Sequence, residues 1–320
     1  MAHRWPAAAC ALLLAAGCRT SSPTRAAPAT TTTTTAAVSP DRLPGGYQPA
    51  TTVGTLSDPD VGESSGLVAS RRGPGQLWTH NDSGDGPFVY CLDARIRSCG
   101  VWRLTGAEAF DWEDIAIGPG PRAGEPYLYV GDIGDNIDQR TEIVVYRVLE
   151  PATGRGGAAP AKASPASTER AEVLRLRYPD GPHDAEALLV HPTIGDLYVL
   201  SKDATGSTVY KATAPIDAAS VTTLRAVGVV RLGTGGFDQI TAGDISPDGR
   251  RVALATYSSG YELALPEKAE DFDAIWAERP APVALGPRLQ GESIAYRLDS
   301  RALLTTSEMV PSPVLQVERE

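Results

Sequence analysis

The sequence is poor in histidine and has no block of basic residues, and each scarcity argues against a class of function. It contains 29 Lys and Arg against 39 Asp and Glu, a formal charge of −10. Nucleic-acid binding is disfavoured, because a surface for that purpose collects positive charge. His80, His183 and His191 lack the spacing of zinc ligands, which disfavours a zinc site. The acidic excess either maintains solubility or attracts cations.

The first residues form an apolar segment that is too short to span a bilayer. Ala7–Ala16 follows a short basic region, which is typical of a secretory signal. The run Ala15-Ala16-Gly17-Cys18 resembles a bacterial lipobox, with Ala15 where leucine is commoner. This resemblance implies a signal peptide over 1–17 and lipidation of Cys18, with ordinary signal cleavage as the alternative. We expect an extracytoplasmic bacterial protein that contacts the membrane only through this lipid.

Residues 18–50 lack the apolar side chains of a folded domain. They are rich in Thr, Ala and Pro and include an unbroken threonine run, Thr30–Thr35. Such a composition cannot bury apolar area, so it predicts a disordered spacer. Residues 51–320 remain, and their length suffices for one large all-β domain.

Few cysteines remain after these assignments. Cys10 leaves with the signal and Cys18 carries the lipid, so Cys91 and Cys99 are left. The residues around them have the pattern of two strands joined by a short turn, and two cysteines in an oxidising compartment usually pair. We predict a Cys91–Cys99 disulfide that staples this hairpin locally.

A short acidic signature recurs five times, each time running into an apolar strand. The copies are Gly62–Leu67, Asp111–Ile115, Asp184–Leu188, Ala242–Ile245 and Gly291–Ile294. A turn and a second strand follow each copy, and two more strand candidates follow in most. Four antiparallel strands per unit are typical of a propeller blade.

We therefore predict an all-β fold, a five-bladed β-propeller with four-stranded antiparallel blades. The fifth unit is one strand short, and Thr51–Leu56 can supply it. Closing the ring with this N-terminal strand would hide an open sheet edge. A six-bladed ring is the main alternative, and an open sandwich is disfavoured because nothing in it requires a repeated acidic signature.

Hairpin geometry predicts that one end of the central channel, here called the mouth, collects polar side chains. The starts of first strands and the ends of second strands share this end. The candidate metal ligands at the first strands are Glu63, Ser65, Glu113, Glu186, Asp244 and Glu292. The candidate ligand-binding residues at the second strands are His80, Asn81, Asp82, Asp132, Asp135, Asn136, Ser307 and Glu308.

Carboxylates that face one another across a narrow channel repel and raise one another's pKa unless a cation neutralises them. Oxygen ligands select a hard ion, so calcium is the expected cofactor, with magnesium second. In the alternative interpretation, these acids only cap strand ends or accept backbone hydrogen bonds between blades.

The acidic strings, together with Thr306-Ser307-Glu308, resemble those of the SdiA-regulated family of five-bladed propellers. They are more distantly similar to calcium-dependent apyrases and phytase-like propellers. The resemblance implies a calcium ion in the channel, held at Glu113, Glu186 and Glu292, with Ser65 at the matching position of the first blade. In the fourth blade that position is Gly243, and Asp244 lies one residue off the pattern.

Two functions fit these features. The first is a monomeric, lipid-anchored propeller with calcium at its mouth that binds a small-molecule or protein ligand. The second is a calcium-dependent phosphohydrolase, phytase-like or apyrase-like, in which Glu186 would activate water. A phosphatase should gather basic residues around the metal, and mainly Arg140 and Lys202 lie near the motifs. This scarcity favours binding.

Overall fold

A computed structural model describes residues 46–154, 159–233 and 239–320 and arranges them as five β-sheets. The predicted signal peptide, Cys18 and the predicted linker up to residue 45 lie outside the described residues. Within the described part, no helix has the length and hydrophobicity needed to cross a membrane.

Each sheet is one blade of a five-bladed β-propeller, which confirms the predicted fold. The first strand, β1 (Thr51–Leu56), belongs to the last blade. Blade 1 contains β2 (Ser64–Ala69), β3 (Leu77–Asn81), β4 (Phe88–Leu92), β5 (Ser98–Thr105) and β9 (Ala166–Arg170). Blade 2 contains β6 (Trp112–Pro119), β7 (Pro126–Asp132), β8 (Ile143–Leu149), β10 (Glu172–Arg177) and β14 (Thr222–Thr223).

The other three blades have four strands each. Blade 3 contains β11 (Ala185–Val190), β12 (Leu197–Ser201), β13 (Ser207–Ala212) and β15 (Arg225–Val230). Blade 4 contains β16 (Ile240–Ile245), β17 (Arg251–Thr256), β18 (Gly260–Ala264) and β19 (Ala281–Val283). Blade 5 contains β20 (Ala295–Tyr296), β21 (Ala302–Thr305), β22 (Ser312–Glu318) and β1. A 3₁₀ helix, Phe272–Ala277, packs its buried face against blades 3 and 4.

Two blades carry a fifth strand that the sequence pattern does not predict. Strand β9 pairs in parallel with β5, and the two-residue β14 pairs in parallel with β10. Both added strands lie at the outer edge of their sheets, where they pair backbone groups that would otherwise be open.

The N-terminal strand closes the ring, as predicted. Strand β1 pairs antiparallel with β22, from Thr51 opposite Gln316 to Leu56 opposite Ser312. Tyr47 lies within the predicted disordered spacer of residues 18–50, yet it continues this pairing through a bridge to Arg319 and is buried, so the predicted boundary at residue 50 is too late. This pairing places Tyr47 and Arg319 at the end of blade 5 opposite the mouth.

Five hydrophobic clusters form the core, and each draws its members from two adjacent blades. Trp78 and Trp112 join blades 1 and 2, for example, and Leu67 and Val314 join blades 1 and 5. The other three clusters join blades 2 and 3, 3 and 4, and 4 and 5. Because the fifth blade packs on the first, the ring contains five blades rather than six.

The predicted disulfide is confirmed. Cys91 in β4 and Cys99 in β5 are bonded, eight residues apart, across the hairpin that these two antiparallel strands form. The bond cross-links neighbouring strands within blade 1, so its effect is local.

Candidate functional site

Four of the five inner strands contain a β-bulge close to the mouth. The strand register shifts between Ser65 and Leu67 in blade 1. Equivalent shifts span Glu113 in blade 2, Glu186 in blade 3 and Thr241 in blade 4. A bulge adds one residue to one strand and re-aims its side chain.

The positions that match Glu113 and Glu186 are consequently Gly66 in blade 1, not Ser65, and Thr241 in blade 4, not Asp244 or Gly243. The Asp244 carboxylate lies deeper, where it accepts a hydrogen bond from the Tyr296 backbone N at 2.7 Å. Burial raises the pKa of Asp244 to about 7, and Arg71 opposes this rise. The structure thus places Asp244 between blades 4 and 5, away from the mouth.

Three carboxylates of blades 1 and 2 come together at the mouth. Oxygen atoms of Asp82, Asp111 and Glu113 lie within 4.8 Å of one another. Asp82 directly follows β3, whereas Asp111 directly precedes β6. Gly134 packs on this cluster so closely that a Cβ there would stand 2.1 Å from Glu113 Oε1 and 2.5 Å from Asp111 Oδ2. Glycine is therefore required where the blade 2 loop covers the carboxylates.

The three carboxylates disfavour one another's charged form. Burial is the main cause that raises the pKa of Glu113, followed by the charges of Glu186 and Asp82. Burial also raises the pKa of Asp82 to about 6, to which Glu292 and Asp111 contribute. A bound cation would relieve this repulsion, because it favours the ionised carboxylates.

Glu186 has a cationic partner of its own. The Lys202 ammonium forms an ion pair with Glu186 Oε1. Burial raises the pKa of Glu186, and Lys202 opposes that rise. Lys202 Nζ also lies 5.7 Å from the ring centroid of Tyr257, which is a cation–π distance. The blade 3 side of the mouth therefore already carries one positive charge.

Blade 5 supplies a second pair of carboxylates. Gln290 Nε2 donates to Glu292 Oε1 at 3.0 Å, and the Glu308 backbone N donates to Gln290 O at 2.9 Å. Ser307 Oγ also donates to Gln290 O, at 2.8 Å. Burial and the neighbouring Glu292 raise the pKa of Glu308 to about 9. Glu292 also acts on Asp82, so both acidic groups belong to one mouth.

Arg140 organises the rim next to the blade 2 acids. Its Nη2 forms an ion pair with Asp132 Oδ1 at 2.8 Å, and its backbone N donates to Asp135 Oδ2 at 2.7 Å. The guanidinium carbon lies 5.2 Å from the ring centroid of the exposed Phe110. Asp132 and Asp135 are thus held by Arg140.

Several predicted rim residues have structural partners. Glu63 is exposed, its backbone N donates to Asn81 Oδ1 at 3.1 Å, and its backbone O accepts from Asp82 N. Ser65 Oγ donates to Glu113 O at 2.8 Å. These bonds position the strand ends of blades 1 and 2. Asn136, the remaining predicted rim residue, is exposed.

His80 is buried behind the mouth rather than on it. Its Nδ1 lies 2.8 Å from Asn81 O, and its Nε2 has no hydrogen-bond partner within the described part of the chain. Burial lowers the pKa of His80 to about 4, so the ring is neutral at physiological pH. Gly66, at φ +74°, packs against it, since a Cβ at Gly66 would stand 2.9 Å from His80 Nε2.

Asp114 connects three inner strands beneath the mouth. Its Oδ1 accepts from the Ile115 backbone N at 2.8 Å, within blade 2. Its Oδ2 accepts from Leu188 N of blade 3 at 2.9 Å and from Gly243 N of blade 4 at 3.3 Å. Asp114 is fully buried. It accepts hydrogen bonds from backbone groups of neighbouring blades, which is the structural role that the alternative interpretation gives to these acids.

Three mouth residues were not among the predicted site residues. Asp111 belongs to the repeated signature itself. Lys202 and Tyr257 directly follow the second strands β12 and β17, so they occupy the position that Asp82 has in blade 1. Lys202 and Tyr257 could therefore have been identified from the sequence by this shared position directly after the second strand.

Comparison with known proteins returned no matching family model and no matching curated protein. Solved structures with a similar chain trace include the PQQ-bound aldose sugar dehydrogenase of Streptomyces coelicolor, at 11% identity and a TM-score of 0.49, covering 86% of this chain and 99% of that chain. The Swd1 β-propeller domain of Myceliophteria thermophila has 10% identity, a TM-score of 0.43 and coverages of 84% and 99%. Hydrazine synthase of Kuenenia stuttgartiensis has 12% identity, a TM-score of 0.44 and coverages of 80% and 96%.

Proposed function

We propose that this protein is an extracytoplasmic, lipid-anchored propeller that binds a ligand at its mouth, with a calcium ion held by Asp82, Asp111 and Glu113. One observation carries the proposal: the oxygen atoms of these three side chains lie within 4.8 Å of one another. Within the described residues, none of the three forms an ion pair. An all-oxygen donor set suits a hard cation such as calcium.

Membership of the SdiA-regulated family is part of this proposal. Of the positions that the resemblance implies, Glu113 belongs to the carboxylate cluster, whereas Glu186 is paired with Lys202. Thr241 matches them in blade 4, and its Oγ1 donates a hydrogen bond to Gly291 O at 2.8 Å. We therefore place the ion on the side of blades 1 and 2, with Glu292 across the mouth.

The proposed location is supported by the Cys91–Cys99 disulfide, because disulfides persist mainly in oxidising compartments. A Cys18→Ala variant should lose its membrane fraction if that cysteine carries the lipid. Cys10→Ala is the matched control, because Cys10 would be removed with the signal. Equal membrane fractions for wild type and Cys18→Ala would refute lipid anchoring.

A phosphohydrolase is the second candidate, and the charges at the mouth disfavour it. Lys202 is paired with Glu186 and Arg140 with Asp132, so both basic groups are engaged by carboxylates. An anionic phosphate ester would meet the remaining acids. A screen of nucleotides and phytate, with and without calcium, tests this candidate, and calcium-dependent activity that Glu186→Gln abolishes would reverse the ranking.

Thermal unfolding with calcium or with a chelator tests the metal proposal directly. Calcium at a hundred times its dissociation constant should stabilise the fold by about 2.7 kcal/mol. For a domain of this size, that corresponds to an increase in Tm of about 5–10 °C. Glu113→Gln and Asp82→Asn should abolish the increase, whereas the exposed Glu267→Gln should retain it. An unchanged Tm for wild type with calcium would refute the site.

A further inference from the structure

Four large apolar side chains are exposed on the loops that form the mouth. Phe110 is 70% exposed, Ile137 70%, Leu289 86% and Met309 53%. They are half of the eight large hydrophobic residues that are exposed in the described part of the chain. The loops that carry Leu289 and Met309 are adjacent, because Glu308 N donates to Gln290 O at 2.9 Å and Gln290 N donates to Ser307 Oγ at 3.0 Å, and adjacent exposed apolar side chains mark interaction sites.

Contacts within the fold constrain two of these four residues. The Arg140 guanidinium lies against the Phe110 ring, as described above. The Met309 backbone N donates to Gly62 O at 3.0 Å, which ties the blade 5 loop to blade 1. Met309 has a φ of +67°, an unfavourable conformation for a residue with a side chain. The Phe110 ring and the Met309 backbone are therefore held by contacts within the fold.

The acids beside Leu289 and Met309 lack cationic partners. Glu308 directly precedes Met309, and Glu292 lies three residues after Leu289. Neither Glu292 nor Glu308 forms an ion pair with any described residue, in contrast to Glu186. Glu308 is hydrogen-bonded to Glu292 and its pKa of about 9 keeps it protonated at neutral pH, so the two acids carry at most one negative charge, and no described cation compensates it.

We infer that the mouth docks a polypeptide segment in which a lysine or arginine is flanked by large apolar side chains. The basic group would pair with the hydrogen-bonded acids Glu292 and Glu308, and the apolar groups would contact Leu289 and Met309. Charge complementarity selects this partner, because the same acids would repel an anionic membrane surface. The inference rests on the proposed role as a binding protein and does not require the calcium ion.

A fluorescent pentapeptide probe tests the inference. Its sequence is leucine-lysine-phenylalanine-lysine-leucine, with both ends blocked. Binding to the folded protein should weaken at high salt, because salt screens the attraction between the basic probe and the acidic mouth as they approach each other. Two control peptides, one with glutamate for lysine and one with serine for leucine and phenylalanine, should bind at least about tenfold more weakly.

Variants locate the binding surface. Leu289→Ser with Met309→Ser should weaken probe binding about tenfold without lowering Tm, because both side chains are exposed. Glu292→Gln should weaken binding and reduce its salt dependence, because it removes the negative charge of the acid pair. Leu298→Ser is the matched control, since Leu298 is an exposed apolar residue at the opposite end of blade 5. This variant should bind the probe as wild type does.

Three outcomes would overturn the inference. The first is equal binding of all three peptides, the second is unchanged binding by the double variant, and the third is binding to phosphatidylserine vesicles in preference to the peptide. Each titration is run in calcium and in chelator. Probe binding in chelator without a calcium-induced change in Tm would refute the metal proposal and leave the docking surface intact.

Discussion

The ring closure depends on one buried carboxylate, and its removal gives the sharpest stability prediction. Glu262 Oε1 in blade 4 accepts hydrogen bonds from Tyr47 Oη at 2.6 Å and from Tyr296 Oη at 2.7 Å. Arg319 binds both carboxylate oxygens, at 3.1 and 2.8 Å. Glu262→Ala would therefore leave one guanidinium and two phenol groups without their acceptor, next to the strand pair that closes the ring.

The magnitude follows from burial. Glu262 is 6% exposed, and removing one partner from a buried ion pair costs about 3–5 kcal/mol. A loss of about 4 kcal/mol should lower the Tm by about 10 °C in a domain of this size. Glu262→Gln keeps the shape and one acceptor oxygen, so it should lower the free energy of unfolding less than alanine does.

Urea unfolding followed by tryptophan fluorescence measures the change in the free energy of unfolding. Glu270→Ala is the matched control, because Glu270 is exposed, and it should unfold within about 0.5 kcal/mol of wild type. A change below about 1 kcal/mol for Glu262→Ala would refute the reasoning, because it would mean that the buried cluster contributes little to ring closure.

Three further changes test the site and the disulfide. Lys202→Met frees the Glu186 carboxylate and removes a positive charge from the mouth, so calcium affinity should rise about tenfold in a calcium titration. Burial raises the pKa of Asp82 to about 6 and that of Glu308 to about 9, so the folded state binds more protons than the unfolded state above pH 4. In chelator, the free energy of unfolding should therefore fall as the pH rises from about 5 to 9, and calcium should reduce the part of this fall that Asp82 causes near pH 6; a rise over the same range would contradict the assignment. Cys99→Ser opens a loop with a separation of eight residues and should cost about 2.5 kcal/mol in urea unfolding, with reductant affecting wild type but not the variant.

The blades were predictable because their strands repeat, whereas the added edge strands were not. Four of the five inner strands combine an apolar run with an acid at or just before their start, and that combination is visible without coordinates. Strands β9 and β14 are short or exposed, belong to no repeated unit, and pair in parallel with strands distant in the chain. Their position depends on pairing with strands distant in the chain, and the repeated pattern of the blades does not predict that pairing.

The sequence predicts the mouth in outline, and the wrong residue assignments there come from the β-bulges. The alternation of apolar and polar residues along a strand does not reveal an inserted residue until the partner strand is known. The sequence therefore predicts Asp244 as the blade 4 metal ligand, whereas the structure has Thr241 at the position that matches Glu113. Glu113, Glu292 and Glu308 needed no such correction, because the acidic motif or the strand end identifies them directly. Lys202 could have been identified from its place after β12, but its ion pair with Glu186 requires the fold.

The pairing of β1 with β22 also constrains how the chain can acquire its structure. Some 250 residues separate the two strands, so β1 leaves the ribosome long before its partner is synthesised. Until then its backbone groups form an open edge that can pair with other chains. A molecule exported during synthesis would therefore depend on chaperones to shield this edge, and premature termination before residue 312 would yield a species prone to aggregation.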